Sequence, residues 1–182
     1  MATALTGLKH ATAYGSGPTK IGGAQWDADH SVADVVALRA ALELTIGPAL
    51  HVRRTTTQSI TSGVTTKVAF DSVVTDTGSA WNAGSNRYTP QVPGWYQVAG
   101  MVYCVGSSPT SVAALLYKNG ALEVVGFEIS PSGASGGFGA PVSTLVEMNG
   151  TTDYLELFGN FAATSPVFAA TYTYMKILHL RG

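Results

Sequence analysis

Two pairs of carboxylates stand at spacings from which acid–base chemistry could be built, Asp71 with Asp76 and Glu147 with Asp153. Glycoside hydrolysis uses such a pair, one group protonating the leaving oxygen while the other acts as base or nucleophile. Nothing in the chain around them brings either pair onto a cleft. Asp76 and Asp153 flank predicted turns, where a short carboxylate bonds nearby backbone, and they read as turn residues. Gly133-Ala134-Ser135-Gly136-Gly137 matches the nucleophile elbow Gly-x-Ser-x-Gly, which needs a strand before the serine and a helix after it. Phe138-Gly139-Ala140-Pro141 does not open a helix, so this segment reads as a loop. Asp27, Asp29 and His30 have metal-ligating side chains, but acids just ahead of a helix normally cap its N–H groups. His10, His30, His51 and His179 show no zinc-like pairing. Asn149-Gly150-Thr151 fits a glycosylation sequon and reads as a turn. The expectation is a protein without catalytic residues, metal or cofactor.

Recognition chemistry is better represented. Trp81 lies in the polar loop Ser79–Asn86, beside Asn82 and Asn86. An indole there can stack on a sugar or on another subunit, with the amides bonding hydroxyl groups; it can equally plug the core beneath its own loop. Phe138 is the one large side chain in a Gly/Ser-rich stretch over 130–140, and such loops at the end of a sandwich often carry binding. Trp81, Asn82, Asn86 and Phe138 are therefore the candidate ligand-binding residues.

The elements that must position these groups fall into three regions. Residues 1–30, rich in Gly, Thr and Ala, have no period and read as an extended attachment arm, with Trp26, Asp27 and His30 its most distinctive side chains. Residues 31–48 read as a stalk or collar helix. Ser31 and Asp34 make an acidic capping box, Gly47-Pro48 is a stop, and Val32, Val35, Leu38, Leu42 and Ile46 form an apolar stripe. That stripe packs either on its own head or about a three-fold axis, where Val35, Leu38 and Leu42 would meet their copies. Residues 49–182 read as all-β. Strand character is found over 51–60, 64–70, 95–105, 112–118, 121–129, 142–148, 152–158 and 167–180. Asn119-Gly120 and Asn149-Gly150 are hairpin turns, and the loops cover 106–111 and 130–141. Many strands and regular turns with no helix between them indicate an antiparallel sandwich.

Composition bears on partners. Hydrophobic residues make up 46% of the chain and charged residues only 12%, about half the usual charged share. This fits a β-rich subunit with much surface buried between copies. A net charge of −1, with no basic cluster beyond Arg53-Arg54, argues against nucleic acid. No apolar run is long enough to span a membrane, and the N-terminus lacks the features of a secretory signal. Cys104 is the single cysteine, so no intrachain disulfide forms. After Gly94, Tyr96, Val98, Gly100, Val102 and Cys104 share one face of a strand, while Trp95, Gln97, Ala99, Met101, Tyr103 and Val105 share the other. Both faces are largely apolar, which predicts one turned to the core and one turned to a neighbouring subunit. Tyr172 and Tyr174 face one way on the last strand, Met175 and Ile177 the other.

The stretch Phe70 to Gly100 holds Phe70, Asp76, Trp81, Tyr88, Gly94 and Tyr96. This order of aromatic, acid or amide, aromatic, and Gly-x-Tyr strand resembles the globular head of complement component 1q, in the tumour-necrosis-factor-like jelly-roll superfamily. Leu116-Tyr117-Lys118-Asn119-Gly120 resembles that family's hairpin, Leu145 to Leu157 its following hairpin, and Tyr172 to Ile177 its last strand. Tyr88, Val98 and Gly100 depart from the pattern, which implies a remodelled core and ligand sites of its own. The resemblance implies a trimer-forming, non-enzymatic jelly-roll head, and the apolar strand faces read above put Tyr103, Tyr172 and Tyr174 on the expected trimer interface. Gly22-Gly23-Ala24-Gln25-Trp26-Asp27-Ala28-Asp29-His30 also resembles segments of tail and fibre proteins of tailed bacteriophages. Together these lead to an expected homotrimeric virion structural protein assembled in the host cytoplasm. Its arm would bind other virion proteins and its head a host-surface glycan or protein. A capsid decoration or cement protein is the alternative, and a polysaccharide depolymerase the third reading.

Overall fold

Alternating burial along one 25-residue strand organises the molecule. In the computed structural model, which describes residues 47–129 and 136–181, β7 (Gly94–Lys118) buries Tyr96, Val98, Val102 and Cys104 completely. Along the same stretch Trp95 and Val105 stay exposed. β7 is too long for one small sheet and serves two. Its first half pairs with β9 (Gly136–Met148) on one side and β11 (Tyr174–Arg181) on the other. Its second half pairs with β8 (Ala121–Ile129) and β10 (Leu155–Phe168). β1 (Ala49–Arg53) and β4 (Ser72–Asp76) extend the first sheet beyond β11. Four two-residue strands edge the second: β2 (Gln58–Ser59), β3 (Thr66–Lys67), β5 (Trp81–Asn82) and β6 (Arg87–Tyr88). All pairings are antiparallel.

The two halves of β7 fold over one core, giving the expected all-β jelly roll. Tyr88, Tyr96, Leu116, Met148, Leu155, Leu157, Phe161, Phe168 and Met175 are its largest fully buried side chains. The aromatic signature read from the sequence lies within or against it. Phe70 meets Trp81 edge to face at 5.8 Å, Tyr88 meets Tyr96 at 6.1 Å, and the Tyr96 hydroxyl donates to the Val92 carbonyl at 2.6 Å. Gly100 sits beside its β9 partner Val142 and faces Leu157, and an added Cβ would stand 3.3 Å from each side chain. Cys104 is fully buried, and burial pushes its thiol up to about 12.

Several expected boundaries move. The loop expected over 106–111 stays in the ladder as part of β7, which bends at Ser108, a residue of φ 50°. β10 accommodates the bend with register shifts around Thr164 and with Ser165 at φ 51°. The loop expected over 130–141 gives way to β9 from Gly136, so Phe138 is a strand residue. The strand expected over 51–60 stops at Arg53, because Thr55 and Thr56 turn their amides and hydroxyls to Asp71. The strand expected over 64–70 shrinks to Thr66–Lys67, and β4 has no counterpart among the expected strands. The expected runs 152–158 and 167–180 become β10 and β11, separated at 169–173. Asn119-Gly120 is a hairpin turn, with φ 54° and 78°. Asn149-Gly150 is not, because β9 and β10 each pair with β7 and the segment between them crosses from one sheet to the other. The arm and helix expected over 1–48, with Trp26, Asp27, His30, Val35, Leu38 and Leu42, lie outside the described residues apart from Gly47-Pro48.

Candidate interaction surface

The outer face of the first sheet is a grid set by register. Reading from β9 across β7 and β11 to β1, one row is Leu145, Gln97, Leu178 and Ala49. The next is Ser143, Ala99, Lys176 and His51, and the next Pro141, Met101, Tyr174 and Arg53. Below the first row Glu147 pairs with Trp95. In the isolated chain Leu145 is 50% exposed, Trp95 47%, Leu178 41% and Leu180 42%, although all lie on well-formed strands. Such a cluster of exposed aliphatic and aromatic groups marks an interaction face.

The upper part of this face is built from tyrosine. Tyr103 and Tyr172 stand with ring centroids 5.1 Å apart, and Lys176 Nζ lies 5.5 Å from the Tyr174 ring. Gly137 makes room for Tyr103: a Cβ there would collide with the phenol ring, so the ring lies across β9. Thr173, fully buried between them, accepts from the Tyr103 amide at 3.0 Å. The three tyrosines expected at an interface are thus gathered at the upper end of one sheet.

The candidate ligand residues do not gather. Trp81 is half-buried, packs against Phe70, and has its Nε1 buried without a partner among the described residues, the arrangement of a side chain closing the core beneath its loop. Asn82 accepts from the Ser85 amide at 2.9 Å, and Asn86 accepts from the Phe70 amide at 2.7 Å. Phe138 pairs with Cys104 and is half-buried against the core. Trp81 is linked through Tyr88 and Leu155 to Lys118, whose Nζ reaches the Glu147 carbonyl. Phe138 stands nine residues away from Glu147 on β9, about 30 Å along the strand. Trp81 and Phe138 thus occupy opposite ends of the sandwich.

The carboxylates have structural work. Asp76 accepts from the Ala80 and Trp81 amides at 3.1 and 3.0 Å. Asp153 accepts from Asn119 Nδ2 and the Asn149 amide and pairs with Lys118 at 3.2 Å. Burial raises the pKa of Asp71, but hydrogen bonds from the hydroxyls and amides of Thr56 and Thr55 outweigh it and hold the group at about 2. Glu147 is exposed. A cavity of about 420 Å³ between Gly47-Pro48, Thr77-Gly78, Ala80 and Gln91-Val92 is lined by no titratable side chain.

Sequence reasoning missed Glu156. Between Leu155 and Leu157 it should face solvent, yet it is 2% exposed. Lys67 Nζ and Arg87 Nε both donate to its Oε1, the second at 2.8 Å, from 89 and 69 residues away in sequence. Arg87 lies 4.0 Å over the Tyr154 ring, which completes the cover. Burial alone would raise the Glu156 pKa; the two cations hold it below the ordinary glutamate value. Only the tertiary fold brings β3 and β6 over β10, so no local signal announces the cluster.

No family model matches the sequence, and no curated protein matches it. Solved structures do. Murine APRIL matches at 14% identity with a TM-score of 0.54, over 73% of this chain and 98% of that one. The globular domain of zebrafish complement 1qA matches at 16% and 0.52, over 72% and 94%. Eiger TNF from S. frugiperda matches at 11% and 0.55, over 73% and 92%. At these identities the likeness is one of fold. The described region has the jelly-roll fold shared by those proteins.

Proposed function

We propose that the protein is a non-enzymatic, homotrimeric structural subunit of a tailed-bacteriophage virion, with its jelly-roll head turned outward to the host surface. The observation that carries the self-association is the outer face of the first sheet. Trp95, Leu145, Leu178 and Leu180 are each at least two-fifths exposed in one chain, beside a tyrosine cluster. Burying such a face against two further copies removes apolar surface from water, at about 25 cal/mol per Å². The sparse charge of the whole chain supports the same reading. The fold, known in murine APRIL and zebrafish complement 1qA, is compatible with it. The virion context rests on the arm sequence Gly22–His30 and on the order of arm, helix and head. Three copies of a weak glycan or protein site would act together at a host surface.

Multi-angle light scattering is expected to give three times the 18.8 kDa chain mass at micromolar concentration. A folded single-chain species would overturn the trimer. Immunogold electron microscopy of intact particles is expected to label tail fibres or spikes. Labelling across the capsid shell, with no binding of purified protein to cells, would select a cement role.

A further inference from the structure

The outer face of the second sheet carries a charge cluster with an unused arginine fork. Register lines up Leu122, Tyr117, Glu156, Arg87 and Asn82 across β8, β7, β10, β6 and β5. Their chain neighbours Leu116, Leu155 and Tyr88 are buried in the core, so this row faces outward. Phe158 is the next outward residue of β10, with Lys67 opposite it on β3. The row lies on the other sheet of the sandwich from the face proposed for self-association. Lys67 and Arg87 share a single counter-charge, Glu156, so the cluster keeps one net positive charge. Arg87 commits only its Nε to Glu156. Its two Nη groups have no hydrogen-bond partner among the described residues, and the side chain is 41% exposed. The Tyr154 ring, 4.0 Å from the guanidinium carbon, fixes its plane, and the bond to Glu156 fixes its rotation. A guanidinium held in this way loses little freedom on binding, and its free fork matches a carboxylate.

Two further features narrow the ligand. Tyr117 and Phe158, both partly exposed, stand with ring centroids 4.3 Å apart and make an aromatic patch. Tyr117 and Arg87 flank Glu156 on neighbouring strands, so about 10 Å separates their backbones. On the other side of Arg87, exposed Asn82 accepts from the Ser85 amide through Oδ1 and keeps its Nδ2 donors free. A simple anion would use the fork alone. An acidic peptide brings carboxylates on flexible stems, with no rigid apolar face to lie on the rings. A sugar acid offers a carboxylate, a flat C–H face and hydroxyl groups on one small ring, one for each kind of group present. We infer that Arg87, Asn82, Tyr117 and Phe158 form a binding site for a carboxylate-bearing sugar residue of a surface polysaccharide. This inference rests on the host-facing head proposed above and names the class of glycan and the face that takes it.

Saturation-transfer NMR on the full-length chain tests it. The probes are glucuronate, galacturonate and N-acetylneuraminate, with glucose, galactose and N-acetylmannosamine as their uncharged counterparts. At least one acid is expected to bind with a Kd of about 1 mM, roughly tenfold or more tighter than its counterpart, with transfer to its ring C–H protons. Arg87→Lys keeps a counter-charge for Glu156 but removes the fork, and should weaken binding about tenfold. Tyr117→Leu keeps apolar cover but removes the ring, and should abolish most of the C–H transfer. Circular dichroism checks that both variants stay folded. Four results overturn the site: no binding of any of the three acids, equal binding of acid and counterpart, triglutamate or inorganic phosphate bound as tightly as the sugar acids, or folded variants that bind like the wild type. None of these touches the trimer or the labelling of particles. Labelling of the capsid shell without binding to cells would overturn the host-facing head, while sugar binding lost in Arg87→Lys would still establish the site.

Discussion

At the scale of single residues, the head is stabilised by carboxylates that the fold, rather than the local sequence, supplies with partners. Glu156→Gln would keep the shape of the side chain but leave Lys67 and Arg87 without a counter-charge over a nearly closed site. Both cations keep some solvent contact, so the expected cost is about 2 kcal/mol, below that of a fully buried pair, read from the urea midpoint. Asp71 ties Thr55 and Thr56 to the strand that follows Phe70, and its pKa of about 2 makes the tie pH-dependent. Its folded pKa is depressed below the ordinary aspartate value of about 3.9, so its stabilisation is complete above that value. It is lost as pH falls toward 2. The wild-type urea midpoint is expected to drop across this window, and in Asp71→Asn that part of the slope should disappear while stability at pH 7 falls. A mutant whose acid profile parallels that of the wild type would show that Asp71 is not the titrating group.

At the scale of elements, turns hold the strand order in place. Gly150 sits at φ 71° in the crossover between β9 and β10, and an added Cβ would press on the backbone of Val92 and Pro93. Gly150→Ala is expected to destabilise by more than about 2 kcal/mol, combining a left-handed conformation with a backbone clash. Gly84→Ala, where the nearest atom is Asn82 Oδ1 at 3.4 Å, should stay within about 0.5 kcal/mol. Chemical denaturation of the two variants side by side separates a structural glycine from a permissive one. These elements also show where the sequence was readable. The faces of β7 and β11 follow a period of two, so alternation grouped Tyr96, Val98 and Val102 on one face and Met175 with Ile177 on another, and burial shows these to be the inward faces. The Asn119-Gly120 turn was readable because both positive φ values belong to residue types that tolerate them. The strand through 106–111 was not, because Gly, Ser and Pro spell a loop locally while β10, some 55 residues on, keeps the backbone paired. Asn149-Gly150 spells a hairpin locally, but β7 has both flanking strands as partners and overrides it. The tyrosine face was legible as alternation; the Glu156 cluster was not, since its cations come from short strands that no period marks.

At the scale of the whole molecule, the head has a surface it cannot bury alone. Leu145 and Leu178 flank Gln97 in a single row across three strands, so one charge on each would put two unpaired carboxylates at the centre of the interaction face. Leu145→Asp with Leu178→Asp is expected to give a monomer that stays folded, because both side chains point away from the core and are already half exposed. Leu42→Asp, on the helix expected over 31–48, should weaken the trimer by less, since the stripe it interrupts is short. Trp95 offers a direct reading of the equilibrium. Nearly half exposed in the single chain, it should move to a drier site on assembly, and its emission should shift to the red as the wild type is diluted. In the Asp double variant the emission should start red-shifted and ignore concentration. An unchanged oligomer in that variant would place the interface elsewhere on the jelly roll. Concentration-independent emission in a wild type that remains trimeric would keep Trp95, and the row beside it, out of the contact.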